Sequence, residues 1–192
     1  MAPGGSTGKD LRTPMARTDQ PVPVRFALIG AGGVANIHAP SLAASPDIDV
    51  RWVVDLDTGL AETLAGRVGG RVTAEMDEAL VDPEVDAVLI ALPTAVHRMA
   101  TERAAAAGKH VFCEKPIART VEDARAMTDA CARAGVVFQV GHVVRFFPEY
   151  MKIKELLDAG TLGQVAMVRT QRRSGPVMER QPWFADIEKS GG

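Results

Sequence analysis

A glycine-rich turn near residue 30 is the first place where residue types and spacing suggest a binding chemistry. Gly30, Gly32 and Ala35 have the GxGxxA spacing, directly after an apolar run and at the start of a segment with helical periodicity. The first glycine would allow a tight turn, the second would let a pyrophosphate approach the backbone, and the alanine would let the helix pack closely on the strand. The amides of this turn, including those of Gly33 and Val34, would then face the phosphates. The pattern predicts dinucleotide binding.

A carboxylate that could bind a ribose follows at the end of the next apolar run. Asp55 stands about 25 positions after Gly30, where it could accept hydrogen bonds from the hydroxyls of an adenosine ribose. The next residues, Leu56 and Asp57, include no arginine that could hold a 2′-phosphate, so the sequence favours NAD over NADP. Asp57 is better placed to cap the helix that follows. The alternative for the whole pattern is a tight surface turn without a ligand.

Short apolar runs alternate with longer segments of helical periodicity from Val24 onward. The predicted strands are Val24–Ile29, Val50–Val54, Arg71–Thr73, Ala87–Ala91, His110–Cys113 and Val136–Val140. Strands that are apolar throughout are typical of a parallel sheet covered by helices on both faces. The alternation therefore predicts a doubly wound, Rossmann-type α/β domain over residues 24–141. Pro40 is expected to kink or end the first helix.

The two ends of the chain differ from this central region. Residues 1–23 contain seven glycines or prolines and few large apolar side chains, so they are expected to form a disordered arm without an export signal. Beyond residue 141, a helix over 148–159 and a strand over 164–172 would begin a second domain, of α+β type. Residues 142–192 are expected to be the incomplete start of that substrate and oligomerisation domain.

The overall composition excludes several functional classes. The chain has 22 basic and 24 acidic residues, which gives no basis for binding nucleic acid or an anionic membrane. No apolar run approaches the roughly 18 residues that a membrane span needs. Two cysteines, Cys113 and Cys131, are too few for a disulfide framework or a four-ligand zinc site. We expect a globular cytoplasmic protein without a metal, a nucleic-acid partner or membrane contact.

Three further stretches follow the glycine turn in order: LPTAVH at 92–97, GKHVFCEKP at 108–116 and VGHVVRFFP at 140–148. In this order they resemble the N-terminal part of the family of glucose-fructose oxidoreductase, inositol dehydrogenase and their relatives, the Gfo/Idh/MocA family. The resemblance implies NAD(P)-dependent hydride transfer to or from a sugar, cyclitol or related polyol. It also implies that Lys115 lies in the active site and that Glu114 lies near the nicotinamide ribose.

The resemblance assigns further residues to the cofactor cleft. In relatives, one loop passes beside the cofactor, and its members here are Leu92, Pro93, Thr94 and His97. For His97, packing at the start of a helix is an equally open interpretation. Arg145 could line the nicotinamide end of the cleft, and an exposed arginine is the alternative. Relatives often have Asn where this chain has Thr94 and Val143, so their polar contacts are not carried over to these positions.

The chemistry of Lys115 supports the same interpretation. It would lie just beyond the carboxyl end of a parallel strand, where open α/β sheets bind their ligands. A lysine there can donate a hydrogen bond to a substrate oxygen and stabilise negative charge that develops as hydride moves. Pro116 would restrict Lys115 to extended backbone geometry. The alternative is that Glu114 and Lys115 are a solvated pair at a strand end. His38, on the first helix, is interpreted as a packing residue.

The end of the chain departs from the family pattern. Relatives continue past the glycine pair with a DxGxHxxD stretch whose Asp and His complete the catalytic group, whereas this sequence ends at Gly191 and Gly192. We therefore expect a truncated chain, and a homo-oligomer only where the full C-terminal domain is present. The alternative function is a non-catalytic dinucleotide-binding or ligand-sensing module of the same family. A methyltransferase that uses the same glycine turn is disfavoured by the Glu-Lys-Pro element.

Overall fold

A computed structural model of the protein describes residues 22–171 and 185–190. Its centre is a six-stranded sheet in the order β3-β2-β1-β4-β5-β6, in which every neighbouring pair is parallel. The strands are β1 Val24–Ile29, β2 Ile48–Val54, β3 Arg71–Thr73, β4 Ala87–Ile90, β5 His110–Cys113 and β6 Phe138–Val140. The predicted doubly wound α/β fold is confirmed. The arm predicted over residues 1–23 lies almost entirely outside the described residues.

Five helices connect successive strands: α1 Gly33–Ala44, α2 Thr58–Val68, α3 Met76–Val81, α4 His97–Ala106 and α5 Val121–Ala134. Among the described residues, α6 Pro148–Asp158 and α7 Ile187–Ser190 follow β6, and 3-10 turns lie at Thr94–Val96 and Val143–Phe146. The predicted cap at Asp57 is confirmed, because its carboxylate accepts the backbone N–H groups of Gly59 and Leu60 at the start of α2. At the start of α5, the Thr120 hydroxyl accepts the backbone N–H of Asp123 at 3.1 Å. Gly135 ends α5 in the left-handed conformation, with φ of 68°.

The core lies on both faces of the sheet because consecutive strand residues point to opposite sides. On one face Leu28 packs with the small residues of α1, such as Ala35 and Ala39, and with α2. On the other face Ile29 packs with α4 and with Met127 of α5. All four residues of β4 are buried, which explains why this strand is apolar throughout.

Two local features differ from the predictions. Of the two outcomes predicted at Pro40, a kink or an end of the helix, the end is not observed, because α1 continues to Ala44. Pro40 is exposed, so water can replace the intrahelical hydrogen bond that its missing N–H removes. The strand predicted over 164–172 is not formed at residues 164–171, and residue 172 lies outside the described part of the chain. Apolar residues in this segment, such as Val165 and Val168, are exposed and have no neighbouring strand among the described residues.

The segment after β6 is packed much less densely than the sheet. Every residue of α6 is at least partly exposed, and its apolar side chains include Met151 and Ile153. A second domain that begins near residue 142 stays a prediction. Among the described residues, no helix combines the length and the apolar character that crossing a membrane would require.

Candidate functional site

A cavity of about 650 Å³ opens at the carboxyl edge of the sheet. From β1 the sheet grows in one direction through β2 and β3, and in the opposite direction through β4, β5 and β6. Ligands of open α/β sheets bind at such a switch point, here between β1 and β4. The cavity brings together most of the residues predicted from the sequence: Gly30, Gly32, Gly33, Val34, Asp55, Leu92, Pro93, Thr94, Glu114 and Lys115. Three predicted residues do not line it, namely Ala35, His97 and Arg145.

The glycine turn between β1 and α1 combines two different requirements. Gly30 has φ of +100°, and a Cβ there would lie 2.7 Å from the carbonyl oxygen of Ala91, so the position requires glycine. A Cβ at Gly32 would meet nothing within 4 Å, so the protein's own packing does not explain this glycine. Gly32 is also the N-cap of α1 and provides no side-chain cap. The open space and the uncapped amides together leave room for an anion.

Asp55 lies beside the turn, at the end of β2. One of its carboxylate oxygens accepts the backbone N–H of Ala31 at 2.7 Å, and the other accepts that of Asp57 at 2.9 Å. Each oxygen has a second lone pair that could accept from a ribose hydroxyl. Among the described residues that line the cavity, the arginine is Arg103, and its guanidinium pairs with the carboxylate of Asp77.

Glu114 and Lys115 follow β5, on the other side of the turn. The Glu114 side chain is buried, with 7% exposure for the residue, and its Oε2 accepts the backbone N–H of Lys115 at 3.1 Å. Its Oε1 accepts from Nε2 of His38 at 2.7 Å. Burial favours the neutral acid, but the hydrogen bonds from His38 and Lys115 outweigh burial and hold the pKa of Glu114 below its usual range. Lys115 is exposed at the cavity edge, and the peptide bond to Pro116 is cis.

His38 is a residue whose position sequence reasoning missed. The sequence suggested a packing role, and its ring does pack edge-on against Phe112, with centroids 6.0 Å apart. The structure also shows the hydrogen bond to Glu114, a residue 76 positions away in the chain. No local spacing signals a contact between positions so far apart.

His97 connects the loop after β4 to the loop after β5 from a buried position outside the cavity lining. The residue is 1% exposed, its Nε2 lies 2.8 Å from the carbonyl oxygen of Leu92, and its Nδ1 lies 3.0 Å from that of Pro116. This geometry supports the packing interpretation of His97 and provides no direct contact with the cavity. Ala35 lies on the buried face of α1 and packs in the core. Arg145 is exposed in the 3-10 turn after β6.

Further residues complete the wall near Asp55. They follow β2 and β3 or lie on α4, and they are Leu56, Ala74, Glu75, Met76 and Met99. Leu56 is largely exposed and Met99 is about half-exposed, so a flat aromatic ligand could cover both apolar side chains. No sequence motif marks this part of the cavity.

Comparison with known proteins identifies relatives of this fold and site. A family model described as "Oxidoreductase family, NAD-binding Rossmann fold" (GFO_IDH_MocA) matches residues 24–142. An inositol 2-dehydrogenase from Rhizobium meliloti strain 1021 is 37% identical over 172 residues, which cover 88% of this chain and 50% of that protein. The chain spans about half the length of the curated relatives it matches.

Two solved structures show this fold with bound nicotinamide cofactors. The WlbA dehydrogenase from Bordetella pertussis, in complex with NADH and UDP-GlcNAcA, has a TM-score of 0.71 at 26% identity over 74% of this chain and 42% of that chain. KijD10, a 3-ketoreductase from Actinomadura kijaniata in complex with NADP and TDP-benzene, has a TM-score of 0.67 at 27% identity over 72% of this chain and 43% of that chain. Because the family model matches more than half of the sequence, the chain belongs to the Gfo/Idh/MocA oxidoreductase family, with its NAD-binding Rossmann fold.

Proposed function

We propose that the chain binds NAD in the cavity at the switch point and serves a dehydrogenase or reductase that acts on a sugar, cyclitol or related polyol. The observation that carries this proposal is the meeting of the glycine turn, Asp55 and Lys115 in one cavity. These are the three features that a nicotinamide dinucleotide and its reaction require: an anion site, a ribose acceptor and a polar group at the reacting end.

The cavity has the properties of a dinucleotide site. Its volume of about 650 Å³ lies within the range of small-molecule sites. The space beside Gly32 would take the pyrophosphate, and Asp55 would accept from the adenosine ribose. The second nucleoside would then extend from the turn toward Leu92, Thr94 and Glu114, because these residues follow β4 and β5.

Lys115 is the proposed catalytic residue. A bound nicotinamide ring supplies the acceptor or donor of hydride. Lys115 would donate a hydrogen bond from Nζ to the substrate oxygen, which orients the substrate and stabilises the negative charge that develops there. Glu114 accepts the backbone N–H of Lys115 and so holds the backbone from which the Lys115 side chain extends. Lys115 itself is exposed at the cavity edge.

A preference for NAD over NADP follows from the charge at Asp55. A 2′-phosphate on the adenosine ribose would meet this carboxylate, and Arg103 is already paired with Asp77. The relatives include both kinds of cofactor, since the WlbA structure contains NADH and the KijD10 structure contains NADP. The preference therefore rests on the residues of this chain.

Calorimetric titration with NAD and NADP, followed by NADH formation from a panel of sugars and cyclitols, tests the proposal. We expect tighter binding of NAD than of NADP. Where turnover occurs, Lys115→Met should abolish it while leaving the NAD dissociation constant within about twofold, because Lys115 acts on the substrate. Absence of NAD binding would refute the proposal. Turnover is measured as well for a chain extended through the DxGxHxxD stretch of the relatives. NAD binding without turnover of any substrate by that longer chain would favour the ligand-sensing alternative.

A further inference from the structure

We propose that His38 is a positioning residue for the nicotinamide side of the site, which it serves by holding the Glu114 carboxylate. This inference rests on the proposed function. His38 lies on α1, the helix whose first turn borders the glycine turn, while Glu114 follows β5. Their hydrogen bond of 2.7 Å therefore links the phosphate-binding helix directly to the loop that carries Lys115.

The surroundings of Glu114 allow its carboxylate little freedom. Oε1 accepts from His38 and Oε2 accepts from the backbone of Lys115, so each oxygen is held by a different element. The backbone of Gly141 packs against the same group, and a Cβ there would lie 3.1 Å from Oε1. The ring of Phe112 packs against the His38 ring, nearly perpendicular to it. Rotation of the carboxylate would break at least one of the two hydrogen bonds.

The hydrogen bond between His38 and Glu114 has a defined donor and a defined acceptor. An ionised carboxylate only accepts hydrogen bonds, so Nε2 of His38 carries the proton that they share. Each oxygen keeps one further lone pair, and Glu114 lines the cavity. Glu114 therefore presents an acceptor at a fixed position, suited to a hydroxyl or amide donor on the ligand.

Strand order determines which part of a dinucleotide meets this acceptor. Asp55 follows β2 and Glu114 follows β5, on opposite sides of the glycine turn at the end of β1. With the phosphates at the turn and the adenosine ribose at Asp55, the nicotinamide ribose and ring extend toward Glu114. Loss of the His38 contact should therefore weaken binding of that half and spare the ADP half.

Titration with two ligands separates this role from general support of α1. ADP occupies only the adenosine and phosphate end, whereas NAD occupies both ends. We expect His38→Ala to weaken NAD binding about tenfold, the effect of one hydrogen bond to a charged group, and to change ADP binding by less than about twofold. His38→Gln keeps a side-chain N–H donor and should recover most of the NAD affinity. Ile37→Ala, at a residue of α1 with 76% exposure, is the matched control and should change neither constant.

A double-variant cycle tests whether His38 acts through Glu114. The double variant His38→Ala, Glu114→Ala should bind NAD no more weakly than Glu114→Ala alone, because the group that His38 positions is absent from both variants. Equal losses of NAD and ADP affinity in His38→Ala, or additive losses in the double variant, would overturn this inference and leave the proposed function in place. If the wild-type protein binds neither ligand, the proposed function fails and this inference fails with it.

Discussion

The carboxylate of Asp55 accepts the backbone N–H of Ala31 at 2.7 Å. The residue proposed to bind the adenosine ribose therefore also fixes the glycine turn to the end of β2. The other carboxylate oxygen accepts the backbone N–H of Asp57, so the Asp55 side chain also stabilises the loop between β2 and α2. A substitution at position 55 acts on turn geometry and ligand recognition together, and only a pair of variants separates the two effects.

Asp55→Asn removes the charge but keeps a side-chain oxygen that can accept from Ala31. We expect this variant to retain the folded turn and to lose most of the preference for NAD, because a 2′-phosphate no longer meets a carboxylate. Asp55→Ala also removes the acceptor for the Ala31 N–H. It should therefore weaken the binding of both cofactors and lower the melting temperature by a few degrees. Calorimetry with both cofactors and thermal unfolding measure these effects. Tighter binding of NADP than NAD by the wild-type protein would contradict the assignment.

Gly30→Ala and Gly32→Ala should have opposite consequences, although only Ala31 separates the two glycines. A Cβ at position 30 combines φ of +100° with a 2.7 Å approach to Ala91, so Gly30→Ala should reduce the free energy of unfolding by roughly 1–3 kcal/mol. Gly32→Ala adds a methyl group to open space and should leave stability unchanged. It should nevertheless weaken the binding of NAD and of ADP on the order of tenfold, because the added methyl group would occupy the space of the phosphates. Unchanged affinity in Gly32→Ala would mean that the phosphates bind elsewhere.

His97→Ala should affect stability more than ligand recognition. Its ring nitrogens contact the carbonyl oxygens of Leu92 and Pro116 in a buried position, and removing it leaves both without their partner. We expect a loss of about 2 kcal/mol in the free energy of unfolding, measured by urea titration. The NAD affinity of the folded variant should fall only modestly, through loosening of the two loops. Full stability combined with lost NAD binding would instead support a direct cofactor contact.

The fold and the glycine turn of the candidate site could be predicted because they depend on local sequence. Strand β4 is buried at all four positions, so its apolar run is a reliable signal. The glycine turn likewise needs Gly30 at one fixed backbone position. The strand predicted after residue 163 failed because its apolar residues have no neighbouring strand in the described part of the chain. An apolar run indicates a strand only where a partner exists.

The part of the candidate site around Glu114 and Lys115 could be predicted only in part. The motif around Glu114 and Lys115 marked the loop, but it did not indicate which residues hold the loop in place. Those residues are His38 and His97, which approach from different helices and bond through long-range contacts. Because a histidine on an apolar helix face looks the same in sequence whether it packs or bonds, only the folded arrangement distinguishes the two roles.

The acid stability of the sheet should depend on Asp86, which precedes β4. Arg25 of β1 donates from Nε and Nη2 to its two oxygens at 2.9 and 2.7 Å, and these bonds lower the pKa of Asp86 to about 2. Because this pKa lies below the ordinary value of 3.8, the pair stabilises the fold above about pH 4, and its contribution is lost as the pH falls toward 2.

Asp86→Asn should therefore lower the melting temperature by a few degrees at pH 7, and the difference from wild type should close between about pH 4 and pH 2. Both partners are about one-third exposed, so solvent screening keeps the effect moderate. Glu62→Gln, at an exposed carboxylate of α2, is the control and should leave the melting temperature unchanged over this range. Thermal unfolding followed by circular dichroism across the pH series measures the difference. A gap between Asp86→Asn and wild type that stays constant down to pH 2 would show that the ionised carboxylate is not the stabilising group.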